Sequence, residues 1–215
     1  MSKRPPIIIV GAGGHGKIVI EALRAVGTHE IVGLVDPSPS TSHVLGLPVL
    51  GGDDLLQPLQ SQGIAAAFVA LGRNALRQRI GAALRAMGYS LPSIIHPLAV
   101  VSSSARIGDG VLIMPLAVVN ADARIADLVI INTAAIVEHD ADIDEAAHLA
   151  PRCAIGGSVR VGARTLLGIG SVVRPDVTIG ADAIVGAGSA VVAPVPDGAM
   201  VGGVPAHPLR RPGPL

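Results

Sequence analysis

The chain has 215 residues, half of them apolar, with one Phe, one Tyr and no Trp, so any core must be built from Ile, Val, Leu and Ala. Sixteen basic and sixteen acidic side chains cancel and no basic run occurs, which argues against nucleic acid or an anionic membrane surface as a partner. The single Cys153 excludes an internal disulfide and reads as a packing residue.

Lys3 and Arg4 precede an apolar run in a pattern that superficially resembles a signal peptide, but Gly13-Gly14-His15-Gly16-Lys17 interrupts it and no Ala-x-Ala cleavage site lies at a sensible distance. No apolar run reaches the roughly 18 residues needed for membrane insertion, so a cytoplasmic location is expected. Residues 7–10 read as a strand and 17–26 as a helix. Residues 31–35 read as a second strand, stopped at Asp36-Pro37, and 44–50 as a short extended piece. Asp53 is expected to cap a helix over 54–62, followed by a strand over 65–71 and a helix over 74–87 that Gly88 ends. Strands alternating with helices predict parallel βαβ units and a small open sheet of four or five strands in a first domain, residues 1–95.

From Val101 to Val191 every sixth residue is Val, Ile or Leu, and the residue four places after each is small or β-branched. A period of six fits neither a helix nor a lone strand. It is the mark of a hexapeptide β-helix, a three-sided prism in which each hexad gives one short strand and one corner, so residues eighteen apart stack. Glycines just after the aliphatic, such as Gly108, Gly156 and Gly162, are read as supplying either positive φ or close backbone approach. The register never slips, so no inserted loop is expected. The second domain, 96–215, ends in a Gly- and Pro-rich tail with Arg210 and Arg211, expected to cap the last coil or lie beside it and then fray.

Two constellations carry chemistry. Gly11-x-Gly13-x-x-Gly16 lies between a strand and a helix, and Asp36 closes the following strand. That is the setting in which glycines admit a phosphate at a helix N-terminus and a carboxylate reaches a ribose. Gly72-Arg73-Asn74 closes another strand at the same edge. The small domain favours a nucleotide diphosphate over NAD. The second constellation is Asn132, Glu138-His139-Asp140 and His148. His139 falls on an outward strand face or edge, beside a carboxylate that would orient it as a general base. The neighbouring Asp142, Asp144 and Glu145 would add to an acidic field that raises its pKa. His139 and His148 differ by nine, half a coil, so they lie on different sides of one prism and cannot share a metal ion within one chain.

The Gly-Ala-Gly-Gly-His-Gly-Lys loop, Asp36, Leu71-Gly72-Arg73-Asn74, Ile95-His96-Pro97, Ile131-Asn132-Thr133 and Val137-Glu138-His139-Asp140 together resemble the nucleotide-sugar N-acetyltransferases of the left-handed β-helix superfamily, of the kind acting on GDP-perosamine or UDP-linked 4-amino sugars. The resemblance implies a Rossmann-like α/β domain followed by a left-handed parallel β-helix, assembled as a homotrimer with active sites between subunits. It implies acetyl-CoA as co-substrate and no metal. It further implies that Gly13, Gly14, His15 and Asp36 hold the nucleotide, with Gly72 and Asn74 at the same crevice. His139 is then the base, Asp140 its orienting acid and Asn132 a sugar contact. His148, Gly157, Ile169 and Ala187 become acetyl-CoA contacts. Two departures stand out: His207 follows Pro205-Ala206 where many relatives have Lys, and Ala187 stands where some have Gly. A sugar O-acetyltransferase of the sialic-acid type shares the same layout, and a non-catalytic nucleotide-binding scaffold is the alternative from another class.

Overall fold

The computed structural model describes residues 4–209; Lys3, Arg210 and Arg211 lie outside the described residues. The chain divides into two compact units, Met1–Pro97 and Leu98–Leu215.

In the first unit, β1 (Pro6–Val10), α1 (Gly14–Val26), β2 (Glu30–Val35), β3 (His43–Val44), β4 (Leu47–Gly51), α2 (Leu56–Ser61), β5 (Ala66–Val69) and α3 (Asn74–Ala86) form a five-stranded sheet of order β3-β4-β2-β1-β5 with its helices. Ile7, Ile8 and Ile9 on the inner strand β1 are wholly buried. A parallel strand covered on both faces must be apolar at every position rather than at alternate ones, which is why the run is continuous. Three details differ from the sequence reading. Helix α1 begins at Gly14, three residues earlier, with Gly13 as its extended cap residue; the low helix propensity of glycine hid the first turn. The piece at 44–50 is an antiparallel hairpin of β3 and β4, turned at Leu45 (φ 48°) and Gly46 (φ 82°). A two-residue hairpin loop needs positive φ at both places, and Leu45 does not advertise it. Asp53 caps nothing: Gly52 is the cap residue of a 3-10 turn, Asp53–Leu55, that leads into α2.

The second unit is a hexapeptide-repeat prism. Sixteen two-residue strands, from Val100–Val101 to Ala190–Val191, recur every six residues and stack in three parallel sheets. Partners are eighteen residues apart, as in Val118 with Val100 and with Ile136. The second residue of each strand points to the axis, and Ile113, Val119, Val137, Ile143 and Leu149 are at most 1% exposed. The small positions, among them Ala117, Ala135, Cys153 and Ser171, are buried with them. The outward residues give the three faces different characters. One carries Val100, Val118, Ile136, Ala154, Val172 and Ala190; the next carries Arg106, Arg124, Asp142, Arg160 and Thr178; the third carries Leu112, Ile130, His148, Leu166 and Ile184.

Between the first and last hexads positive φ sits three residues after the aliphatic, at Leu116, Asp122, Ala134, Asp140 and their equivalents, not at the glycines directly following it. Those glycines serve close approach alone: a Cβ on Gly156 would stand 2.6 Å from the Pro175 nitrogen of the next coil. The tail pairs Met200–Gly202 onto Ile184–Val185, then turns back antiparallel through His207–Pro208.

Candidate active site

His139 and Asp140 form the turn between the strands Ile136–Val137 and Asp142–Ile143, so His139 stands on a corner of the prism, not on a strand face. Asp140 adopts φ 58°, a left-handed conformation that Asp tolerates better than most residues. That backbone lets two successive side chains meet: His139 Nδ1 and Asp140 Oδ2 are 2.8 Å apart. A carboxylate only accepts, so Nδ1 donates and Nε2 carries the lone pair in the neutral ring.

One coil later Gly157 lies under the imidazole, and a Cβ there would come within 2.6 Å of Cε1 and 2.7 Å of Nε2. Glycine is what lets the ring rest on the next coil. Both side chains of the pair are 60% exposed. The hydrogen bond to Asp140 raises the His139 pKa above its ordinary 6.5, aided by the charges of Asp140, Glu138 and Asp176. The acidic field is thus drawn along the corner. Asp176, two coils on, contributes, whereas Asp144 and Glu145 belong to the next corner.

In the first unit the predicted set splits between two cavities. Asp36 borders a cleft of 410 Å³ with Gly11, Leu71, Arg73 and Asp53. Gly13 and Gly14 border another of 410 Å³ with Lys17, Ser40, Thr41 and His43. The Asp36 carboxylate already accepts from the backbone N–H groups of Ala12 and Ser38, both at 2.9 Å, and keeps lone pairs for a further donor. Gly11 (φ 111°) could not carry a Cβ, which would meet the Ala70 oxygen at 2.8 Å.

His15 is in helix α1, not in the loop, and its ring rests on Gly72, where a Cβ would lie 2.8 Å from Nε2. Burial, then the nearby Arg77 charge, lowers its pKa. Arg77 was missed by sequence reading. Its buried guanidinium donates to the Leu71 carbonyl at 2.8 Å and to Asn74 Oδ1 at 3.0 Å, which fixes the Leu71–Asn74 turn. Burial pushes its pKa down to about 10. Asn74 therefore serves the turn's geometry; the i, i+3 spacing to an arginine on α3 was the available signal.

Comparison with known proteins bears on both units. Residues 6–84 match the PglD N-terminal domain and residues 158–193 the bacterial transferase hexapeptide repeat. PerB from Caulobacter crescentus, solved with CoA and GDP-perosamine, is 49% identical over 95% of this chain and 97% of its own, with a TM-score of 0.92. The acetyltransferase domain of PglB from Neisseria gonorrhoeae is 40% identical over 96% of this chain and 100% of its own, with a TM-score of 0.90. It has also been solved with acetyl coenzyme A. The chain belongs to the nucleotide-sugar N-acetyltransferases of the hexapeptide-repeat superfamily. A UDP-N-acetylbacillosamine N-acetyltransferase of Bacillus subtilis is 37% identical over 109 residues, half of this chain and half of that protein.

In this member of the family Asn132 and His148 come together. Asn132 Nδ2 lies 3.1 Å from His148 Nε2, and both residues are 7% exposed. Asn132 Oδ1 accepts from the Thr133 N–H at 2.8 Å. That fixes Nδ2 as the donor, so His148 Nε2 accepts and the ring is the Nδ1–H tautomer. Ile169 and Ala187 stack on the corner between the His148 face and the apolar face, the corner on which Asn132 and Thr133 lie, whereas Gly157 sits under His139 on another corner. One chain therefore places His148, Ile169 and Ala187 along one edge of the prism and Gly157 on a different corner. Cys153 is buried beside Ser171 Oγ at 3.5 Å, its thiol pushed up to about 11. Among the described residues no three His, Cys, Asp or Glu side chains group to hold a metal ion, and no helix is long and apolar enough to cross a membrane.

Proposed function

We propose that this protein is an acetyl-CoA-dependent N-acetyltransferase acting on the amino group of a 4-amino-4,6-dideoxy sugar linked to GDP or UDP. It works as a cytoplasmic homotrimer in the synthesis of surface polysaccharide such as lipopolysaccharide O-antigen. The observation that carries the reading is the His139 Nδ1 to Asp140 Oδ2 bond of 2.8 Å on an exposed corner, with the ring lying on Gly157. The unprotonated sugar nitrogen attacks the thioester carbonyl carbon while His139 Nε2 takes its proton. The C–S bond breaks, and the thiolate leaves and recovers that proton. Asp140 holds the ring in the tautomer that leaves Nε2 free and stabilises the imidazolium. A backbone N–H suffices for the oxyanion. No enzyme nucleophile and no metal is needed for a leaving group as good as a thiolate.

Support for the acceptor comes from the relatives. PerB was solved with GDP-perosamine and CoA, and variants of that perosamine N-acetyltransferase with one histidine changed to Asn or Ala were solved with the same ligands. The nucleotide is held in the first unit by Asp36, His15 and Gly72 and by the N–H groups at Gly13 and Gly14, where α1 begins. Support for the trimer comes from the apolar face, on which Val100 is 63% and Val172 47% exposed. Single-chain placement of Ile169 and Ala187 away from His139 and Gly157 also fits a CoA groove shared between two prisms. There Asn132 steadies His148 against the thioester end, and His207 replaces the usual Lys near the tail.

The test is release of CoA thiol from acetyl-CoA with GDP- and UDP-linked 4-amino sugars, beside His139→Ala. Turnover that the variant loses supports the reading; CoA release that only hydroxyl sugars elicit, or that survives in the variant, overturns it.

A further inference from the structure

We infer that the cleft bordered by Asp36, Asp53, Arg73 and Arg79 is a guanine pocket, so that the sugar is carried on GDP and not on UDP; this rests on the nucleotide-sugar reading above. The cleft lies at the carboxyl ends of β1 and β2 and ahead of α3. The sheet order reverses between β1 and β5, and crevices at such a reversal are where open α/β sheets take ligands. At 410 Å³ it falls in the size range of small-molecule sites, and Leu76 and Ile80 offer apolar surface to the faces of a ring. Asp36 stands within the same cleft with acceptor capacity left for a ribose hydroxyl.

The polar groups then decide the base. Asp53 was expected to cap a helix and does not, and its side chain makes no hydrogen bond or ion pair among the described residues. The same holds for Arg73 and Arg79. Three charged side chains border one half-apolar cleft without engaging one another. Guanine presents two parallel donors, N1–H and N2–H2, to a carboxylate, and two acceptors, O6 and N7, to a guanidinium fork. Asp53 and the two arginines supply both halves of that pattern. Uracil offers one N–H flanked by two carbonyl oxygens, whose lone pairs a carboxylate would repel. The phosphates do not need these arginines, because Gly13, Gly14 and Lys17 border a separate cavity at the start of α1.

The experiment is calorimetric titration of the full-length protein with GDP, IDP and UDP, repeated with Asp53→Asn and with Asp54→Asn. Asp54 neighbours Asp53 in the chain but does not line the cleft. The expected result is GDP bound on the order of 10–100-fold more tightly than UDP, the discrimination of a good bidentate base contact. IDP, which lacks the N2 amine, falls between them. Asp53→Asn should lose most of the preference for GDP at an unchanged melting temperature, and Asp54→Asn should keep it. UDP binding as tightly as GDP, or an unchanged GDP to UDP ratio in Asp53→Asn, overturns the guanine assignment. If UDP sugars alone bind and turn over, the assignment fails while the acetyltransferase reading stands. If no nucleotide binds, both fall.

Discussion

His15 and His139 carry the same imidazole into opposite surroundings. His15, in α1, lies over Gly72 with Arg77 nearby, and burial and then that charge lower its pKa. His139 stands in solvent on a prism corner, over Gly157, and the Asp140 hydrogen bond raises its pKa. The first environment favours the neutral ring and the second favours the protonated one. The carboxylates divide in the same way: Asp36 holds the backbone N–H groups of Ala12 and Ser38, whereas Asp140 holds an imidazole. Residue type alone does not assign the task. A ring held toward its neutral form and fixed in place suits recognition, and an exposed one oriented by a carboxylate suits proton transfer.

The largest expected effect tests that division. His139→Ala should lower kcat by about 10²–10⁴-fold, the usual worth of a positioned general base, and leave the melting temperature unchanged because the side chain is exposed. His15→Ala should instead raise KM for the nucleotide sugar with kcat nearly constant. If kcat collapses in His15→Ala and survives in His139→Ala, the assignment of roles is reversed. Gly157→Ala ranks next, since its Cβ would stand 2.6 Å from the ring and must push the imidazole off Asp140. Loss of an orienting partner of an imidazole costs about 10–100-fold in related settings, and kcat measured beside an unchanged melting curve checks it.

Asp140→Asn isolates the charge, because Asn also tolerates positive φ and the turn survives. The rate should fall by up to the same factor, and the pH profile should move. Since His139 must be unprotonated to act, kcat/KM rises with pH through its pKa, which lies above 6.5 in the native protein. Removing the carboxylate takes away the first cause of that rise, so the acid limb shifts to lower pH. A limb that stays in place shows that another group titrates.

How much of this was legible depended on how far apart in sequence the partners lie. In the prism, the period of six fixes which residue stacks on which, so the architecture and the His139–Asp140 pair could both be read. The same rule of eighteen puts Gly157 under His139, a place next to the base that is compatible with the coenzyme contact the resemblance implies. Asn132 and His148 are sixteen apart, two short of a coil, because Asn132 lies just past the strand Ile130–Ile131 that pairs with His148–Leu149. The first unit offered no such rule. Its strands and helices were visible as runs, but the contacts of His15 with Gly72 and of Arg77 with the Leu71 carbonyl depend on helices α1 and α3 meeting the same strand ends, which no periodicity encodes. Asp53 looked like a cap because Asp before an apolar run usually is one; the extended Gly52 took that place.

A milder change in the first unit sharpens the contrast. Gly72→Ala would place a Cβ 2.8 Å from His15 Nε2, so the ring must move while its helix stays. Nucleotide affinity should fall by roughly tenfold, about the 1.4 kcal/mol that one good hydrogen bond to a neutral partner contributes, with kcat held constant. Titration of GDP and UDP against the variant measures it, and an unchanged affinity removes His15 from the nucleotide site.

The smallest effect is expected at Cys153. Its sulfur is buried among the small residues along the prism axis, takes a hydrogen bond from Ser171 Oγ, and has a pKa pushed up to about 11. At neutral pH there is almost no thiolate, and a thiol without thiolate character is a poor nucleophile. Direct transfer from acetyl-CoA to the amine therefore predicts that Cys153→Ala keeps kcat within about twofold and loses roughly 1 kcal/mol of stability from the lost packing. The native thiol should resist alkylation until the protein unfolds. An acetylated Cys153 trapped during turnover would replace direct attack with a two-step transfer, and His139 would then have to activate a sulfur buried in the prism interior while itself standing exposed on a corner. The two positions make that route the weaker one.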